Sequence, residues 1–304
     1  MDGSFGNLRL VPADTPPSAD GSAELPAFPT PEPTTTAPLP DPFDLANREL
    51  IRPPTHRRTH RGLEPFSAAW FDELEHKRYA RHGAWLPTAL EFGRHPGESV
   101  LLLGPGVGSD AVRYIQQGTL VTIGTTAADH PDLIRSNLAR HGLGVRIVPL
   151  SGPELPFPSG AIDVVVWNAL HGELPELPPL IDELYRVLKA GGKVIGLFPA
   201  RYDTGFWQDL LLPLQRVYWR RPPDPTSAPK LSARELRRAF VKFTDHRVFK
   251  RHLRRSELPH PWRVLPLLLL ERLIGRVLVF KAFKPLSAAR SASLTNTSPG
   301  SIAA

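Results

Sequence analysis

Three glycines at alternate positions, Gly104, Gly106 and Gly108, with Pro105 and Val107 between them, carry the strongest chemical signal in the chain. Glycines in this spacing let a backbone turn back on itself and come close to a ligand. The apolar residues Val100 to Leu103 before them read as a buried strand. Ser109 stands where it can cap a following helix whose apolar side is Ala111, Val112, Tyr114 and Ile115. A strand, a glycine turn and a helix start together open an α/β nucleotide-type fold, in which ligands bind at the carboxyl ends of the strands. The same turn also serves as a tight strand–helix connection with no ligand. A dinucleotide fingerprint does not fit, because position 109 is serine and Thr125 stands where an acid is needed. No phosphate-loop lysine follows the turn, and the eleven histidines show no paired spacing with carboxylates that would hold a metal.

The elements that must position this turn follow from hydrophobic periodicity. Leu120 to Gly124, Val145 to Val148, Ile162 to Trp167 and Lys193 to Phe198 read as further strands, the fourth continuously apolar as a strand covered on both faces should be. Residues 131 to 141 read as a helix opened by Pro131 and closed by His141 and Gly142. Leu180, Ile181, Leu184, Val187 and Leu188 mark an amphipathic helix that stops at Gly191 and Gly192. A helix from Phe206 to about Tyr218 and a helix with a Ser232/Glu235 capping box follow. Then come strands at His246 to His252 and Val277 to Phe283, with an apolar helix from Trp262 to Ile274 between them. Upstream, Phe66, Ala69, Trp70, Leu74 and Tyr79 recur at helical spacing, as core or as a lid over the site, and a short helix spans Leu86 to Phe92. Strands alternating with helices imply a doubly wound, mostly parallel sheet.

Composition sets the outer limits. The absence of cysteine excludes disulfides, thiolate catalysis and cysteine-held metal, and suits a reducing compartment; cytoplasmic placement is the expectation. Residues 1–47 hold one basic and seven acidic residues, so the net charge of +7 divides into −6 there and +13 in the remainder. Residues 1–61, with twelve prolines by residue 60, read as a disordered arm; 62–286 read as the domain and 287–304 as a disordered tail. Met1 to Val11 lacks the basic start and apolar run of a signal peptide, and no apolar run is long enough for a transmembrane segment. Ten Lys/Arg against two acidic residues between 247 and 284, with Arg57, Arg58 and Arg61 upstream, suit either a nucleic acid, an anionic membrane surface or simply a solvated, aggregation-resistant face.

Five stretches in order carry a family likeness: Val100–Gly108, Leu155 to Pro158, Ile162 to Val166, Leu170 with His171, and Glu183 to Val194. Together they resemble the class I S-adenosylmethionine-dependent methyltransferases, most closely the small-molecule "type 11" branch, over about residues 65 to 284. The resemblance implies a Rossmann-like, doubly wound seven-stranded sheet, mostly parallel with an antiparallel last strand and helices on both faces. It implies S-adenosyl-L-methionine as cofactor, bound at Gly104, Pro105, Gly106, Gly108, Thr125, Ser151 and Asn168. The family's three acidic places are here Leu102, Thr125 and Ser151, so neutral hydroxyls stand where two carboxylates usually lie, with Asp129 and Glu154 as nearby acids.

Methyl transfer needs mainly alignment and at most one proton acceptor. The resemblance puts His171 near the transferred methyl, although a locally bonded loop histidine has the same sequence signature. Tyr202 and Asp203, just past the fifth strand, are further candidates. The function expected is methyl transfer to a small-molecule or lipid-like acceptor. A catalytically inactive binding module of the same fold, or a nucleic-acid-directed methyltransferase or binder, are the alternatives.

Overall fold

The computed structural model describes residues 39–50, 62–170, 177–211, 229–253, 258 and 264–286. Its elements in chain order are α1 (Pro42–Glu49), α2 (Ala68–His76), a π-helical stretch (Lys77–His82), α3 (Leu86–Leu90), β1 (Ser99–Leu103), α4 (Ser109–Gln116) and β2 (Leu120–Thr125). They continue with α5 (Pro131–Arg140), β3 (Arg146–Pro149), β4 (Ile162–Asn168), α6 (Leu177–Val187), β5 (Leu188–Pro199), α7 (Thr204–Leu211) and α8 (Ala233–Ala239). The last three are β6 (Thr244–Arg251), α9 (Leu267–Ile274) and β7 (Val277–Phe283).

Seven strands form one sheet in the order β3-β2-β1-β4-β5-β7-β6. The pairs from β3 through β5 are parallel, and β7 runs antiparallel to both neighbours. This is the Rossmann-like methyltransferase arrangement. The period of two along each strand splits the core into two faces. Leu101, Leu103, Val165 and Trp167 pack with Leu180, Leu184 and Leu236 on one side. Val100, Leu102, Val164 and Val166 pack with Ala111, Tyr114, Ile134 and Leu138 on the other. After β1 the chain moves outward through β2 and β3, then returns to lay β4 on the other side of β1. The crevice at the carboxyl ends of β1 and β4 is therefore the topological switch point, where sheets of this kind bind ligands.

Two of the five stretches that carry the family likeness, Leu155 to Pro158 and Glu183 to Val194, hold each other. Glu183 on α6 accepts from the Leu155 N–H at 3.0 Å. Arg186, one turn on, donates to the Leu155 and Phe157 carbonyls and to both Glu183 oxygens. These bonds hold the Glu183 carboxyl below its usual range, Arg186 first among the causes. The β4 approach loop is thereby pinned to the helix that follows it.

Several boundaries differ from the expectations. The capping box at Ser232 and Glu235 is present. Ser109, by contrast, does not cap α4: the N-cap is Gly108 in the left-handed region, and the Ser109 hydroxyl is buried without a hydrogen-bond partner among the described residues. Strand β5 begins at Leu188 rather than Lys193, because Gly191 and Gly192 are carried inside the strand. Helix α9 is shorter than expected, beginning at Leu267 after Pro266. Of the expected helix from Phe206, residues up to Leu211 are helical and the rest lies outside the described residues. Helix α1 falls inside the stretch expected to be a disordered arm. Its Leu45, Ala46 and Leu50 are buried against Trp70, Phe71 and Leu74 of α2 and against Val107 and Leu133, an apolar contact sufficient to order it. Residues 1–38 and 287–304 lie outside the described residues. No helix among the described residues is long and apolar enough to cross a membrane.

Glu91, in the left-handed region just before β1's approach loop, ties that segment to the adjacent strands β5 and β7. It accepts from Lys193 on β5 and, at 2.6 Å, from Lys281 on β7. Burial raises its pKa, but the two ammonium groups outweigh that and hold it at about 2. A carboxyl with a depressed folded-state pKa contributes stability above its unfolded value, and loses it as pH falls toward the folded one. The window is therefore pH 4.5 down to about 2. Allowing for solvent screening, Glu91→Gln should cost about 1–2 kcal/mol at pH 7 and flatten the loss of stability below pH 4.5. Urea denaturation across that range checks both effects.

Candidate functional site

The glycine turn lies between the end of β1 and the start of α4, at the switch point. Gly104 and Gly106 have φ of +66° and +58°, values that side-chain-bearing residues rarely adopt. Both are also crowded. A Cβ on Gly104 would stand 2.1 Å from the Asn168 carbonyl oxygen at the end of β4. A Cβ on Gly106 would stand 1.7 Å from Glu49 Oε1. Gly108 is tight against Ile134 and Leu138 of α5 instead, so the third glycine serves helix packing.

Against this turn lies a cavity of about 350 Å³, lined by Gly104, Gly106, Asn168, Ala128, Asp129 and His130 together with Pro40, Asp41, Asp44, Leu45 and Glu49 from the α1 segment. Its size suits a drug- or cofactor-sized ligand. Of the residues expected at the site, Gly104, Gly106 and Asn168 line the cavity. Pro105, Gly108, Thr125 and Ser151 are not among its lining residues. Thr125 is buried at the end of β2, and Ser151 is exposed. Leu102, at the first acidic place of the resemblance, is buried in the core and faces away into the packing of α4 and α5. Asp129, four residues beyond Thr125, does reach the cavity, its carboxylate accepting from the Thr126 N–H at 2.7 Å and the Thr126 hydroxyl at 3.0 Å. Glu154 is exposed and away from the lining. His171 lies outside the described residues. Asp203 is turned to structure: it accepts from the Phe206 N–H and pairs with Lys230 at 2.8 Å. Tyr202 is exposed beside Phe206.

What sequence reasoning missed is the layer beneath and above the turn. Arg78, only 2% exposed, donates from Nε and Nη2 to the two oxygens of Asp110, at 3.2 and 2.7 Å, a fork-to-fork pairing. Asp110 sits in the first turn of α4, where the helix dipole favours a negative charge. Tyr79 adds a 2.6 Å hydrogen bond to Asp110. Arg78 also donates to the Glu49 backbone carbonyl, closing the C-terminal end of α1. Glu49 in turn accepts from the Val107 N–H at 2.7 Å, in the middle of the glycine turn. Burial raises the Tyr79 hydroxyl well above its usual range, so it remains a donor. Burial also raises the Glu49 carboxyl, with Arg78 opposing and Asp110 adding to the rise. The aromatic stripe of α2 is core rather than a free lid. Trp70 and Phe71 are buried and press α1 and Val107 together.

Part of the chain is similar to known methyltransferases. Residues 100–192 match a methyltransferase domain family. The ubiquinone/menaquinone biosynthesis C-methyltransferase of Vibrio campbellii is 26% identical over 144 residues, 45% of this chain and 52% of that protein. The malonyl-[acyl-carrier protein] O-methyltransferase of Serratia marcescens is 29% identical over 101 residues, 33% of this chain and 38% of that one. The match thus spans about half the length of the quinone-biosynthesis relative or less. Among solved structures, geranyl diphosphate C-methyltransferase from Streptomyces coelicolor A3(2) superposes with a TM-score of 0.49 at 15% identity, over 73% of this chain and 82% of that one.

Substitutions at Arg78, Gly106 and Glu49 probe the construction. Arg78→Ala leaves Asp110 buried without its cation and should destabilise the domain by about 3–5 kcal/mol. Arg78→Lys, which keeps the charge but not the fork, should recover only part of that in chemical denaturation. Gly106→Ala should cost about 2–3 kcal/mol, from its positive φ and the collision with Glu49. In a Glu49→Ala background the same change should cost only about 1 kcal/mol, the backbone part alone. Equal costs in the two backgrounds would mean Glu49 is not seated on the turn.

Proposed function

We propose that this chain, with its class I methyltransferase fold and a methyltransferase domain over residues 100–192, moves a methyl group from S-adenosylmethionine to a small-molecule acceptor. The observation that carries this reading is the cavity on the glycine turn, at the switch point between β1 and β4. Gly104 and Gly106 would bring backbone close to the amino-acid end of the cofactor. Asn168 would offer its amide at the same end. Asp129, rather than Thr125, would accept from the ribose hydroxyls, since it is the carboxylate after β2 that reaches the cavity. Leu45 and Pro40 supply apolar wall. When bound, the cofactor supplies an electrophilic methyl on a sulfonium.

The chain's own part is then positioning and exclusion of water. The α1 segment roofs the cavity, held down by Arg78 and by the apolar contacts to Trp70 and Phe71. Little acid–base chemistry is required of the protein, because alignment of the acceptor with the methyl supplies most of the rate. His171, just beyond β4, is the proton acceptor proposed for acceptors that must lose a proton. The acceptor itself is taken to be small because the relatives are named for small or carrier-bound acceptors.

Three observations favour a second reading. Leu102 is core, Ser151 is exposed and Glu49 sits on the turn, so the domain also suits a binding module that has lost catalysis. Isothermal titration of the full chain with S-adenosylmethionine and S-adenosylhomocysteine separates the two. Micromolar dissociation constants are expected for an enzyme. No heat up to millimolar ligand would overturn the enzyme reading and leave the binding module.

A further inference from the structure

The polar layer at the glycine turn is out of electrical balance. Arg78 is one buried guanidinium, and two buried carboxylates face it, Asp110 and Glu49. Asp110 takes the guanidinium with both oxygens. Glu49 receives only a longer contact, 3.5 Å from Arg78 Nη1 to Oε2, because that nitrogen is spent on Glu49's own backbone carbonyl. Among the described residues, the one hydrogen bond to the Glu49 carboxylate at ordinary distance comes from Val107 N–H. A carboxylate can accept about four. Glu49 is 5% exposed, and what it borders is the cavity. The cavity's other ionisable lining residues are Asp41, Asp44 and Asp129 with His130, so among the described residues no lysine or arginine of the wall offsets it. Leaving a buried charge short of a partner costs several kcal/mol unless something supplies the opposite charge.

We propose that Glu49 is a ligand-reading carboxylate, and that the cavity selects ligands carrying a positive charge on their amino-acid or sulfonium portion. Helix α1 thus brings from outside the sheet an acid that the glycine strand itself lacks at Leu102. The inference rests on reading the cavity as the cofactor site and adds to it the residue that discriminates. The missing Cβ of Gly106 is what lets the Glu49 carboxylate seat against the turn, and both residues line the cavity, so a cation bound there would meet the carboxylate at the turn. A cation there completes the second ion pair of the layer.

The test is calorimetric titration of the full-length wild type and Glu49→Gln with S-adenosylmethionine and with 5′-methylthioadenosine, which has the nucleoside and thioether but no charged group. Glu49→Gln keeps an oxygen for the Val107 N–H and removes a charge that burial disfavours, so its melting temperature should be unchanged or raised. It should bind S-adenosylmethionine about 10- to 100-fold more weakly and methylthioadenosine within about twofold of wild type. Asp44→Asn, on the exposed side of α1, should weaken S-adenosylmethionine a few-fold by loss of field alone. S-adenosylmethionine binding that Glu49→Gln leaves unchanged or tightens would overturn the role of Glu49 and make it an occupant that the ligand must displace. Failure of the wild type to bind either compound would instead overturn the cofactor reading and this inference with it.

Discussion

The buried pairing of Arg78 with Asp110 is the contact on which the site depends. It joins the π-helical stretch after α2 to the first turn of α4, and so fixes the far side of the glycine turn. Through the same guanidinium it closes the end of α1. Three segments that share no sheet hydrogen bond are held in one place by a single planar fork. Burial works against the guanidinium's charge, and Asp110 and Glu49 together outweigh it, so its pKa is raised. A buried pair of this kind adds little net stability against an apolar substitute, but it specifies one arrangement. Here the arrangement specified is a roof over a cavity.

The sheet explains where the cavity must be, and the clamp explains what lines it. Parallel strands bring β1, β2 and β4 to the same edge with their carboxyl ends together, and the reversal between β1 and β4 opens the crevice. In the usual plan of such sheets the acids come from the strands. In this chain the strand positions are given to packing, with Leu102 in the core of one face. Carboxylates reach the cavity instead from the loop after β2 and from α1, as Asp129, Asp41, Asp44 and Glu49. The turn has kept the glycines and exchanged the source of its charge.

Much of this was legible in sequence because it is local. Glycines at alternate positions, strands of continuous apolar residues and the capping box at Ser232 each announce themselves within a few residues. The Leu155 and Glu183 stretches were legible as parts of a likeness, but the Arg186 bridge that joins them was not. The clamp was not legible. Arg78 and Asp110 are 32 residues apart, and Glu49 and Val107 are 58 apart, with no periodicity to link them. Glu49 was further masked by its setting, a proline-rich stretch whose composition argues for disorder. Three buried apolar residues, Leu45, Ala46 and Leu50, were enough to override that composition. Ser109 failed as a cap because Gly108 adopts the left-handed conformation and takes the cap position itself.

Held by one clamp, α1 and the glycine turn should act as one unit toward the ligand. Hydrogen–deuterium exchange of the full chain, with and without saturating S-adenosylmethionine, reads this directly. Joint slowing of exchange at residues 104–108 and 45–50 is the predicted result, since both would be closed by one bound molecule and one clamp. Slowing at the turn with faster exchange in α1 would contradict it, because the helix would then be leaving as the ligand enters.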